Sequence, residues 1–137
     1  MVSEVPSHAQ VVIIGGGVAG CSVAYHLTRL GWQDVVLLER KSLTSGTTWH
    51  AAGLIGQLRA THNLTRLAQY TAELYAALEK ETGQATGFRQ NGSLSIASEP
   101  ERFEELRRGA SMASCFGLEA EVISPAEARE LHPLIET

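Results

Sequence analysis

The chain has 137 residues, 44% of them hydrophobic and 19% charged, which is enough apolar material for a core and too little charge for an intrinsically disordered segment. This length fits one domain or a piece of a larger protein and excludes a multidomain enzyme. With 11 Lys and Arg against 15 Asp and Glu, the net charge is -4, and no basic run exceeds Arg40-Lys41 or Arg107-Arg108, so nucleic acid is not an expected partner.

In chain order, Met1 to Gln10 is polar and lacks Lys and Arg, which argues against a secretory or transit leader and for a cytoplasmic chain. Val11-Val12-Ile13-Ile14 is a β-branched run ending at glycine, the pattern of a parallel strand buried on both faces. From Val18 the period becomes helical, with Ala24, Leu27 and Leu30 on one stripe and Gly31 as the stop. Asp34 to Glu39 reads as a second buried strand, completing a βαβ unit whose crossover is expected to be right-handed. Arg40 to Gly56 is a Ser, Thr, Gly and Ala-rich loop, with a short helical turn expected after His50.

Asn63 is the expected cap of a longer amphipathic helix with Leu64, Leu67, Thr71, Leu74, Tyr75 and Leu78 on its inner face and Gly83 as its stop. Asn91-Gly92, flanked by Phe88 to Gln90 and Ser93 to Ala97, predicts a β-hairpin. Ser98 to Glu101 reads as a capping box for a helix to about Phe116, with Phe103, Leu106, Ala110 and Ala113 inward. Glu121-Val122-Ile123 is a candidate strand, and Ser124-Pro125-Ala126-Glu127 opens a capped helix that must end near His132, before Pro133. No apolar stretch approaches the roughly 20 residues that span a bilayer, so no membrane partner is expected. Cys21 and Cys115 belong to no CxxC pair, and the five histidines show no metal-ligand spacing.

Gly15-Gly16-Gly17-Val18-Ala19-Gly20 satisfies G-x-G-x-x-G directly between a predicted strand and helix, and Glu39 stands at the end of the second strand. Gly15 would permit the tight turn, Gly17 the approach of backbone to a pyrophosphate, and Gly20 close helix–strand packing. The N–H groups of Val18 and Ala19 would face the anion at the positive end of the helix. Glu39 would accept from ribose hydroxyls, and its charge disfavours a ribose phosphate, so NADP fits worst. The motif alone does not choose between FAD and NAD.

The segment Thr44 to Leu54 narrows that choice. Its Gly46-Thr47-Thr48-Trp49-His50-Ala51-Ala52-Gly53-Leu54 wording resembles the sarcosine and dimethylglycine dehydrogenases, flavoproteins of the glycine-oxidase-like (D-amino-acid-oxidase) superfamily. The resemblance extends through Gln57-Leu58-Arg59, Glu79 to Gly83, Gln90-Asn91-Gly92, Ile96-Ala97-Ser98 and Ser124 to Glu127, and it looks closer to the sarcosine branch.

The resemblance implies an α/β fold: a Rossmann-like FAD-binding βαβ unit with its tether loop over residues 1–60, then the truncated start of an inserted α+β substrate domain over 61–137. It implies FAD joined covalently through His50, with Arg40 and the whole of Gly46 to Leu54 lining the cofactor. The implied reaction oxidises the N-methyl group of a small amino acid, with an electron-transfer flavoprotein or oxygen as acceptor. Tetrahydrofolate would be handled in a C-terminal region absent from these residues, as would the groups that face substrate. The chain alone is therefore expected to show no turnover. Two other readings stand beside this one: a non-catalytic regulatory paralogue, which has no need of a tether at His50, and a NAD-binding module, which leaves Gly46 to Leu54 unexplained.

Overall fold

The computed structural model describes residues 5–136; Met1 to Glu4, and with them part of the leader reading, lie outside the described residues. Two compact units divide between Leu54 and Ile55.

In the first unit, β1 (Val11–Ile14) pairs in parallel with β2 (Val35–Leu38), Val11 opposite Val35 and Ile14 opposite Leu38, and α1 (Val18–Arg29) packs on both strands. Ile13 faces the helix and is buried. Val12 and Ile14 alternate to the opposite face and stay exposed, Ile14 to 87%. The expectation of burial on both faces is thus corrected: within this unit α1 covers one face of the two-stranded sheet, and Val12 and Ile14 on the other are left exposed.

Helix α1 ends one residue before Leu30, which is exposed and outside the predicted stripe. The close is a Schellman motif. The Trp32 N–H donates to the Leu27 carbonyl and the Gly31 N–H to that of Thr28, with Gly31 in the left-handed region.

The second unit holds α2 (His62–Thr82), α3 (Pro100–Cys115) and α4 (Pro125–Leu131). The cap of α2 is Thr61, not Asn63: Thr61 is extended, and its hydroxyl accepts from the Leu64 N–H three residues on. The buried face of α2 is Thr65, Ala68 and Ala72; of the residues assigned inward, Thr71, Leu74, Tyr75 and Leu78 are half-buried, whereas Leu64 and Leu67 are more than half exposed. Thr65 is fully buried and its hydroxyl brackets Arg59, accepting from the Arg59 N–H and donating to the Arg59 carbonyl.

Pro100 at the first position of α3 makes Glu99 its cap and leaves Ser98 one residue too early for the predicted capping box. Ala113 is buried, but Phe103 is exposed. A second Schellman motif closes α3, with the Leu118 N–H on the Ala113 carbonyl and the Gly117 N–H on that of Ser114. The capping box of α4 forms as expected: the Ser124 N–H donates to Glu127 Oε2 at 2.7 Å and the Glu127 N–H to Ser124 Oγ at 3.3 Å.

Neither the hairpin nor the strand at Glu121 to Ile123 forms among the described residues. A two-residue type I′ turn needs positive φ at both central residues, and Gly92 has it while Asn91 does not. The chain instead turns locally, with the Asn91 N–H on the Arg89 carbonyl at 3.1 Å.

Candidate functional site: the glycine loop and the turn beside it

The site is built where β1 hands over to α1. Gly15 takes φ +104 and its N–H donates to the Leu38 carbonyl at 2.8 Å, so the turn out of β1 is locked to the end of β2. A Cβ on Gly20 would run into the Gly15 carbonyl oxygen and lie 3.3 Å from Ile13 Cγ2, which assigns Gly20 to close helix–strand packing. Both glycines do what the motif anticipated.

Gly16, the unassigned middle residue of the motif, proves central. Its N–H donates to Glu39 Oε2 at 2.7 Å, its carbonyl accepts from the Thr44 N–H at 2.8 Å, and a Cβ there would meet Leu43 and Glu39. The second carboxylate oxygen of Glu39 accepts from the Lys41 N–H at 2.9 Å. These N–H groups, Gly16 first, hold the Glu39 carboxyl below the usual carboxylate range, so it is ionised near neutrality. The Arg40 main chain adds to this lowering, and a carboxylate has about four acceptor sites, so acceptor capacity remains for a hydroxyl donor.

At the helix start, Val18 donates its N–H to Thr48 Oγ1 at 2.9 Å. Among the described residues no protein group accepts from the N–H of Ala19 or Gly20, and the first intrahelical bond runs from Cys21 to Gly17. Two donors at the positive end of α1 therefore await an acceptor.

The adjoining loop holds one 3₁₀ turn, Thr47–His50, that includes His50 and does not follow it as expected. The Trp49 N–H donates to the carbonyls of Thr44 and Gly46, and the Ala51 N–H to that of Thr48. Thr44 sits at φ +63, an unfavourable left-handed conformation for a β-branched residue. His50 is exposed, and its Nδ1 lies 3.0 Å from the Gly46 carbonyl. Because a carbonyl only accepts, this contact places the ring hydrogen of the neutral imidazole on Nδ1 and leaves the Nε2 lone pair outward.

The structure thus gathers Gly15, Gly17, Val18, Glu39 and Thr48 around one helix end, with Gly46, Thr47 and His50 on the turn beside it. Arg40 follows Glu39 and is exposed. Trp49 is 73% exposed, and its ring meets that of His50 edge-on at 6.4 Å between centroids. Ala51, Ala52, Gly53 and Leu54 are exposed, and among the described residues no hydrogen bond joins them to the glycine loop. Leu43 and Thr44 escaped the sequence reading. The only signal for Gly16 was the third consecutive glycine.

Comparison with known proteins bears on this arrangement. The family model described as FAD dependent oxidoreductase (DAO) matches residues 10–137. The chain is 50% identical over 131 residues to mitochondrial sarcosine dehydrogenase of Homo sapiens, covering 95% of this chain and 14% of that protein. It is 45% identical over 130 residues to the mitochondrial pyruvate dehydrogenase phosphatase regulatory subunit of Mus musculus, covering 95% and 15%. It is 44% identical over 132 residues to mitochondrial dimethylglycine dehydrogenase of Rattus norvegicus, covering 96% and 15%. The chain therefore spans about one-seventh of the length of these relatives.

Proposed function

The chain belongs to the DAO family of FAD dependent oxidoreductases, and from that premise we propose that it holds the FAD of an enzyme that oxidatively demethylates sarcosine or dimethylglycine, with the flavin attached to His50. The observation that carries this reading is the convergence on one helix end of an ionised Glu39, two unsatisfied N–H groups and the turn bearing His50.

The residues present fit the cofactor. The N–H groups of Ala19 and Gly20 would receive its diphosphate, with the helix dipole adding favourable potential. Glu39 would accept from the adenosine ribose through its remaining acceptor capacity, which favours an unphosphorylated ribose. The Gly46 carbonyl orients the imidazole by taking the Nδ1 hydrogen, so that Nε2 is the nitrogen available for attachment. When bound, FAD supplies the two-electron acceptor for a C–H bond beside an amine nitrogen. An electron-carrier flavoprotein or oxygen would then receive the electrons.

Acid precipitation of the full chain tests the reading: yellow fluorescence is expected to travel with the polypeptide and to vanish in His50→Ala. Flavin that washes away from the parent chain, or stays with the variant, refutes attachment at His50. A regulatory role without turnover is a second reading, favoured by the 45% identity to the phosphatase regulatory subunit. Bleaching of the bound flavin by sarcosine or dimethylglycine separates the two readings and ranks the two amines.

A further inference from the structure

We infer that Thr48 is the positioning residue for His50: its hydroxyl, held on the Val18 N–H, fixes where the turn carrying the imidazole stands against the start of α1. This rests on the proposed attachment at His50.

Within residues 40–54, Thr48 alone is shielded; every other residue is exposed. The turn is internally closed by Trp49 on Thr44 and Gly46, Ala51 on Thr48, and the His50 ring on the Gly46 carbonyl, so it moves as one body with its imidazole. Two hydrogen bonds tie that body to the glycine loop. The first is main chain, from the Thr44 N–H to the Gly16 carbonyl, and by itself it leaves the turn free to swing about a single point. Thr48 Oγ1 on the Val18 N–H is the second point and comes from a side chain. Gly17 makes room for it, since a Cβ there would lie 3.1 Å from that oxygen. The hydroxyl still has its own hydrogen to donate, but the position of His50 depends on its role as acceptor.

Attachment is sensitive to such placement because it joins two groups that must meet at bonding distance. The new bond runs from imidazole Nε2 to the flavin ring-methyl carbon. Imidazole and methyl each give up one hydrogen, the ring takes up the corresponding two electrons and two protons, and dioxygen restores the oxidised ring with release of hydrogen peroxide.

The test uses the apo form of the full chain with added FAD. Readouts are the rate at which acid-stable flavin appears and, in a His50→Ala background, the non-covalent affinity for FAD. Thr48→Val keeps the shape and removes the acceptor; it should slow attachment on the order of 100-fold, with a far smaller loss of affinity. Thr48→Ser restores the oxygen and should attach at close to the parent rate. Attachment by Thr48→Val at the parent rate overturns the inference. So does a loss of affinity as large as the loss of rate, which would make Thr48 a cofactor ligand. A parent chain that never acquires acid-stable flavin overturns this inference together with the His50 reading, whereas normal attachment in Thr48→Val overturns this one alone.

Discussion

The two units divided at Leu54 hold themselves together by different means. Around the glycine loop, main-chain groups of the loop meet partners distant in sequence: Gly15 the Leu38 carbonyl, Gly16 the Glu39 carboxylate and the Thr44 N–H, and Val18 the Thr48 hydroxyl. In the helical unit most hydrogen-bonded ties are local, a Thr61 cap, a Ser124–Glu127 box and a Schellman close at Gly117, with Gln69 Nε2 donating to the Phe116 carbonyl across sequence and small buried residues at Thr65, Ala68, Ala72 and Ala113. The first arrangement fixes a few backbone atoms in space and depends on the absence of a side chain at Gly16 and Gly20. The second fixes helix ends and tolerates large exposed side chains such as Leu64, Leu67 and Phe103.

If that contrast is right, the greatest damage comes from adding one carbon to the loop. Gly20→Ala, which drives a methyl into the Gly15 carbonyl, should cost about 3 kcal/mol, seen in urea unfolding, with amide exchange accelerating before Leu54 and unchanged after it. Next is Thr65→Val in the helical unit. It strips the Arg59 N–H and carbonyl of their partner and should cost about 2 kcal/mol, with exchange accelerating after Ile55 only. Ser124→Ala removes a cap and should cost about 1 kcal/mol, confined to exchange at the start of α4.

A smaller effect of opposite sign is expected at Thr44, where glycine relieves the left-handed strain but gains freedom when unfolded. Thr44→Gly should raise the urea midpoint by the equivalent of about 0.5 kcal/mol. The smallest is a pH effect shared by both units. Glu39 and Glu127 are each held below the ordinary carboxylate range by N–H donors, so their contribution is complete above that range and fades as pH falls through the lowered values. Acid titration of amide exchange should show Glu39→Gln flattening this loss before Leu54 and Glu127→Gln flattening it at α4.

The same contrast explains what the sequence made legible. Turn chemistry at Gly15 and Gly20 and the charge of Glu39 were readable because each follows from one residue's geometry in a known frame. The segment Thr44 to Leu54 was readable only by resemblance, and Thr48's bond to Val18, thirty residues away, left no local trace. In the helical unit, hydropathy placed the leucines of α2 inside, yet burial there favours residues small enough for close approach, hence Ala68 and Ala72. Asn91-Gly92 carried a turn signal, but a turn becomes a hairpin only where two flanking segments pair along their length.

The bond from the Gly16 N–H to Glu39 has a practical consequence for any redesign of the ribose preference proposed for this site. Replacing the acid by a neutral or basic group, the usual route to a phosphorylated ribose, would also unlatch the loop proposed to receive the diphosphate. Selectivity and grip share one carboxylate. An altered preference will need a new acceptor for that amide, introduced in the same step.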